Sequence, residues 1–263
     1  MGIDITFLVR KKLTDVQGNR LACVECCLIW DFLLGGYLLG MEWYDMIARR
    51  NGGYTGRSVF TWEGNSAEDV FEARLMQLLP QHKSVLDAGC GHGEFTLKMS
   101  AYTDHITGFD NSKELLRIAQ AGLEASDVGN IEFVYATTKT ELPFEDEQFD
   151  LIYDRRGPTS IIEHGRLLRK GGVIFGIHTD VSKVQERLHM NQYENIEIEE
   201  FNEALMVFPD EKEFAIFLSD IPGNPDYTRL EYHEQLQVKL KENLIDRRLA
   251  VREHKYIWKA VRR

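Results

Sequence analysis

Hydrophobic positions along the chain change their period several times, and each change marks an element. After Ser66, apolar side chains recur at Val70, Phe71, Leu75, Leu78 and Leu79, up to Pro80, the spacing of one buried helix face. Ser66-x-x-Asp69 opens that helix like a capping box, with Asp in the place of Glu. A short apolar run over Ser84–Ala88 then breaks into Gly89-Cys90-Gly91-His92-Gly93, just before a helical stretch from Glu94 to Ala101. His105–Phe109 reads as a second buried strand, 112–125 as a helix, and Ile131–Ala136 as a third strand with alternating polarity. Strands and helices keep alternating to about residue 190, which predicts a parallel sheet with helices on both faces. Beyond it, Ile196–Phe208 reads as strand, 211–220 and 229–245 as helices, and Arg252–Val261 as a returning strand. No internal repeat or low-complexity linker interrupts the pattern.

A strand, a tight glycine turn and a helix start make a ligand-binding device. Glycine lets the backbone come close to a ligand and take conformations closed to other residues. The free N–H groups of the helix start then point at the ligand's polar or anionic end. The spacing is Gly-x-Gly-x-Gly, with Glu94 where a dinucleotide-binding turn has its third glycine. Asp110 ends the second strand about 20 residues after the turn, where an acid can accept hydrogen bonds from both hydroxyls of a ribose. It equally suits the start of the next helix, which Ser112 and Glu114 also serve.

The phrase from Ser84 to Gly93 resembles motif I of the class I S-adenosylmethionine-dependent methyltransferases. Leu142–Asp154 is similar to the approach to the fourth strand in their "type 11" group, and Leu167–Ile174 to that group's turn into the fifth strand. The ordered matches run from about 83 to 178. The resemblance implies an α/β fold: a Rossmann-like seven-stranded methyltransferase sheet with helices on both faces. Residues 209–247 then read as a small helical insertion on the substrate side, between the last two strands, and 41–82 as a lid segment and first helix before the core of 83–263. It implies S-adenosyl-L-methionine as cofactor, with Gly89, Cys90, Gly91 and Gly93 around the donor's amino-acid moiety. Asp87 would orient that loop or the donor's ammonium, and Asp110, with Asn111 beside it, would bind the ribose. Many relatives carry an acid after the third strand for the adenine amino group; this chain has Thr137 and Thr138 there, as contacts or as plain turn residues. The fourth strand's tip, Asp154-Arg155-Arg156-Gly157-Pro158, would face the transferred methyl. Asp154 is the candidate proton acceptor there, and Arg155 or Arg156 the bidentate partner of an anionic acceptor; the same residues also fit a loop salt bridge. His178 is either a base or a structural strand-end residue. Tyr44, Tyr54 and Trp62 either close over a sulfonium or pack the leading helix.

Charge and cysteine narrow the partners. A net charge of −11 over 263 residues argues against a surface that coats nucleic acid. The distribution is uneven: residues 191–213 hold eight acids and one lysine, and 236–263 hold nine Lys or Arg against three acids. The basic tail reads as a solvated face or as a local RNA or phosphate contact. Of four cysteines, Cys23, Cys26 and Cys27 lack a second pair at zinc-ligand spacing, so no metal is expected. Nothing demands disulfides, which fits a reducing cytoplasm. The apolar stretch from Cys26 to Gly40 is too short for a membrane span. Residues 1–40 read as an extended gene start before Met41, or as a genuine membrane-associating extension. The expected reaction is methyl transfer to a small metabolite, with a ribosomal RNA base as alternative acceptor. DNA is not expected as a partner, and a non-catalytic regulator that binds the donor is the reading from another class.

Overall fold

The computed structural model describes residues 37–53, 56–221 and 223–263. Tyr54 and the cysteine-bearing stretch of residues 1–36, with the expectations attached to them, lie outside the described residues. Helix α1 spans Tyr37–Asn51, strand β1 Thr61–Glu63 and helix α2 Ala67–Leu78. Then follow β2 (Ser84–Ala88), α3 (Glu94–Met99), β3 (His105–Asp110), α4 (Lys113–Glu124), β4 (Ile131–Tyr135), β5 (Phe149–Arg155) and β6 (Leu168–His178). The rest is α5 (Ser182–Met190), β7 (Tyr193–Phe201), β8 (Leu205–Val207), α6 (Glu211–Ser219), α7 (His233–Glu242), β9 (Leu244–Ile245), β10 (Arg248–Arg252) and β11 (Lys255–Arg262).

Seven strands form one sheet in the order β4-β3-β2-β5-β6-β11-β7. Strands β4 to β6 pair in parallel, and β11 is antiparallel to both β6 and β7. The strand order reverses between β2 and β5, which opens a crevice at their carboxyl ends. Each central strand is apolar on both sides because successive side chains enter opposite cores. Val85, Leu151, Phe175 and Ile257 pack with Phe71 and Leu75 of α2. Their neighbours Leu86, Ile152, Ile174 and Trp258 pack with Val184 and Leu188 of α5.

The start of α2 is capped differently from the capping box read in the sequence. Ser66 Oγ accepts from Glu68 N (3.1 Å), while Asp69 takes no part. The second free N–H, of Ala67, is answered by Glu253 Oε2 at 2.7 Å, from the turn between β10 and β11.

The single strand read over 196–208 is two strands in two sheets. After β7 the chain leaves the large sheet, and β1, β8, β10 and β9 form a separate antiparallel sheet in that order. This excursion, 202–254, is wider than the 209–247 read as an insertion, because β8 and β10 pair with each other and β8 with β1. Phe208, Phe214, Leu218, Tyr227, Leu236 and Leu240 give it its own apolar core, against which Phe60 packs. Arg50 of α1 and Arg57 both reach Asp220 at the end of α6, at 2.5 and 2.8 Å. Among the described residues, no helix is long and apolar enough to cross a membrane.

Candidate functional site

The glycine turn after β2 is built by three left-handed residues. Gly89, Gly91 and Gly93 have φ of +82°, +58° and +79°, a region that L side chains rarely enter. Space forbids side chains as well. A Cβ at Gly93 would lie 2.7 Å from both Ala119 Cβ and Phe133 Cζ, so α3 starts pressed against α4 and β4. The N–H groups of Gly89 and Cys90 both bond the Phe109 carbonyl at 2.9 Å. Gly91 N donates to Asp110 Oδ2 (3.0 Å), and Ser112 N to Asp110 Oδ1 (2.8 Å). Asp110 therefore ties the glycine turn to the start of α4. Burial raises its pKa, and the three backbone N–H groups that it faces oppose that rise.

Asp87 lies beneath the turn. Its Oδ2 accepts from Thr96 Oγ1 and Tyr153 OH, both at 2.7 Å. Burial raises its pKa to about 7 despite these bonds and despite Arg155. The carboxylate is therefore expensive to ionise and is poised for a cationic ligand group. Burial, with the charges of Asp87 and Asp110, pushes the Cys90 thiol well up, so it stays protonated and is no nucleophile.

Around this turn lies a cavity of about 450 Å³, within the size of small-molecule sites. It follows the carboxyl ends of four adjacent strands. Ala136–Thr138 come from β4, Asp110 and Asn111 from β3, Gly89–His92 from β2, and Arg155–Pro158 from β5. Three strand spacings separate its ends, about 14 Å. Tyr44 of α1, Glu72 of α2, and Phe95 and Lys98 of α3 complete the wall. Thr138 Oγ1 is engaged with Ser160 Oγ at 2.7 Å, and Thr137 Oγ1 accepts from Lys139 N at 3.3 Å.

The structure thus brings Asp87, Gly89, Cys90, Gly91, Asp110, Asn111, Thr137, Thr138, Arg155 and Arg156 to one cavity; Gly93 shapes the turn from behind. It does not bring Asp154 there. Strand alternation places Tyr153 and Arg155 on the α2 side and turns Asp154 to the other. Asp154 is fully buried, its Oδ1 accepting Gly157 N (2.6 Å) and its Oδ2 lying 3.3 Å from His178 Nε2. It holds the turn behind the cavity rather than facing it. His178 is likewise structural. Trp258 Nε1 donates to its Nδ1 at 3.0 Å, and an indole can only donate, so the ring proton sits on Nε2, 3.2 Å from the Gly157 carbonyl. Trp62 belongs to β1 in the small sheet, edge-on to Phe60, and does not line the cavity.

Sequence reasoning missed the residues that hold the two arginines. Glu68 Oε2 meets Arg155 Nε at 2.8 Å, and its Oε1 meets Arg156 Nε at 3.2 Å and Lys255 Nζ at 2.7 Å. Arg155 also lies over the Phe95 ring, 4.2 Å from its centroid. Burial alone would raise the Glu68 pKa, but Arg156, Lys255 and Arg155 outweigh it and bring it to about 2. A pKa below the usual 4.5 means that the ionised group stabilises the fold fully above about pH 4.5. That stability is lost as pH falls toward 2. Glu68→Gln is expected to cost roughly 3 kcal/mol at pH 7. In urea denaturation the gap to the wild type should narrow at pH 3; a constant gap would contradict the assignment.

Comparison with known proteins adds the following. Residues 85–172 match a family described as a methyltransferase domain. An O-methyltransferase of Aspergillus nomiae (rstn1) is 31% identical over 130 residues, covering 42% of this chain and 56% of that protein. A demethylmenaquinone methyltransferase of Listeria welshimeri is 28% identical over 102 residues, covering 38% of this chain and 43% of that protein. The chain spans about half the length of these curated relatives. A solved structure from Deinococcus radiodurans R1, described as functionally unknown, is similar with a TM-score of 0.64 and 25% identity, covering 84% of this chain and 100% of that one.

Proposed function

We propose that the chain, whose residues 85–172 match a methyltransferase domain, is a class I S-adenosylmethionine-dependent methyltransferase that transfers a methyl group from S-adenosylmethionine to a small-molecule acceptor. The observation that carries this reading is one continuous cavity along four strand ends, with Asp110 bonded to both Gly91 N and Ser112 N. When bound, the donor supplies a methyl group on a sulfonium, a good leaving group. The chain's own residues then have to bind, orient and exclude water.

Asp110 has both oxygens fixed by backbone N–H groups, and its remaining lone pairs would take the ribose hydroxyls. The turn Gly89–Gly91 would follow the donor's amino-acid moiety. Asp87, with Oδ2 occupied by Thr96 and Tyr153, has Oδ1 left for the ammonium. Thr137 and Thr138, at the β4 end of the cavity, would meet the adenine. Tyr44 would cover the site from α1, whose Asp45 accepts from Ser112 Oγ at 2.5 Å.

The test is calorimetric titration with S-adenosylhomocysteine across pH. Asp87 titrates near 7 in the free protein, and an ammonium partner requires its ionised form. Affinity should rise about fivefold from pH 6 to pH 7, reach about tenfold by pH 8 and then level off. Proton release on binding should be seen at pH 6 and not at pH 9. Asp87→Asn should abolish this dependence. Absence of binding by the wild type at every pH would overturn the reading.

A further inference from the structure

The β5 tip draws together charged groups from distant parts of the chain. Arg155, Arg156 and Lys255 converge on Glu68, and Lys255 also bridges to Glu253 Oε1 at 3.0 Å. Three cations thus meet two carboxylates. Glu253 cannot turn outward, since it is buried and its Oε2 is bonded to Ala67 N. The other acids of this end of the cavity are engaged, Glu72 with Lys98 at 2.6 Å, Glu94 with His92 at 3.1 Å, and Asp87 with Thr96, Tyr153 and the charge of Arg155.

The two arginines are not equivalent. Arg155 is held by Glu68 and by the Phe95 face. Arg156 is held only through Nε, at 3.2 Å, by an oxygen that Lys255 approaches more closely. Its side chain is 45% exposed and lines the cavity. Among the described residues, no hydrogen bond engages its terminal Nη groups. Its backbone has φ +62°, costly for a side-chain-bearing residue. Arg156 N bonds the Ile177 carbonyl at 3.1 Å, which fixes this conformation. A guanidinium anchored at Nε keeps its Nη pair for a planar two-oxygen group. An uncharged lipophilic acceptor would bury that pair without a partner.

Building on the methyltransferase reading above, we propose that the acceptor carries an anionic group, a carboxylate or a phosphate, and that Arg156 receives it while Arg155 serves as the fixed wall beneath. The donor has a carboxylate of its own, so the experiment separates the two sources. Arg156→Asn tolerates the left-handed backbone and removes the fork; Arg156→Lys keeps the charge alone.

The first arm compares S-adenosylhomocysteine with 5′-methylthioadenosine, which lacks the amino-acid moiety. Arg156→Asn should change neither affinity by more than about 2-fold. A loss above tenfold for the homocysteine compound alone would assign the anion to the donor and overturn the proposal. The second arm titrates succinate and inorganic pyrophosphate into the protein, with and without S-adenosylhomocysteine. At least one should bind the wild type, tenfold or more weaker in Arg156→Asn, with Arg156→Lys between them. Equal binding by all three proteins, or none by the wild type, would overturn it. The anion titration without nucleoside reads Arg156 even where the donor does not bind, so failure of the methyltransferase reading shows separately.

Discussion

Asp110→Ala is expected to weaken S-adenosylhomocysteine binding by more than about 100-fold while leaving a folded protein. Two losses add. A carboxylate paired with two ribose hydroxyls contributes about 1.5–3 kcal/mol for each charge-assisted bond. Both bonds vanish with the side chain, and 2.7 kcal/mol already corresponds to a factor of about 100. The turn also loses its tether, because Gly91 N and Ser112 N now face an empty space. Stability should suffer less than binding. Burial disfavours the ionised form of Asp110, as its raised pKa shows. Removing the side chain therefore removes a cost together with its hydrogen bonds. The cap of α4 remains, since Ser112 Oγ still accepts from Leu115 N at 3.1 Å. Calorimetry and a thermal melt on the same sample decide the matter. An affinity within threefold of the wild type would remove Asp110 from the site.

Why this residue was readable in the sequence, and others were not, is a matter of distance along the chain. The turn, Asp110 and the cap of α4 lie within about 30 residues, and each leaves a local signal: glycines, an acid ending an apolar run, a serine before a helix. The parallel core is equally local, since each strand carries its own apolar run. Glu68 and Lys255 are 187 residues apart, and Glu253 reaches Ala67 across 186. No periodicity announces such pairs. The small sheet is hidden for another reason. β1 and β8 have three residues each, too few to show alternation. The chain around Asn202 was therefore misassigned to a continuous strand, and Trp62 was weighed as a cover over a sulfonium or as packing for the leading helix, not as part of a sheet. Asp154 was misplaced although a signal existed. The alternation along Leu151-Ile152-Tyr153 fixes which side each residue of β5 faces. Carried two residues further, it puts Arg155 beside Asp87 and turns Asp154 away.

Gly157→Ala should be among the most damaging single-methyl changes at this site. Its Cβ would stand 2.1 Å from the Ala88 carbonyl oxygen and 2.7 Å from Asp154 Oδ1. Neither atom can yield. Ala88 is buried at the end of β2, paired with β3, and leads directly into the glycine turn. Asp154 is fully buried and already bonded to Gly157 N. The turn after β5 would have to lift by about 1 Å to reach ordinary contact. That movement breaks the bond from Gly157 N to Asp154 and the contact of His178 Nε2 with the Gly157 carbonyl. Two buried polar pairs lost amount to about 3–5 kcal/mol, or roughly 10 °C in melting temperature. Function should fall further than stability, because Arg156 and Pro158 line the cavity on either side of Gly157. The fraction that stays folded should bind S-adenosylhomocysteine at least tenfold more weakly. Gly171→Ala is the control: φ is +73°, but nothing lies within 4 Å of the added methyl, so its cost is the backbone conformation alone, about 1–2 kcal/mol. If both variants melt within 2 °C of each other, close packing of the β5 turn on the glycine turn is not what shapes this cavity.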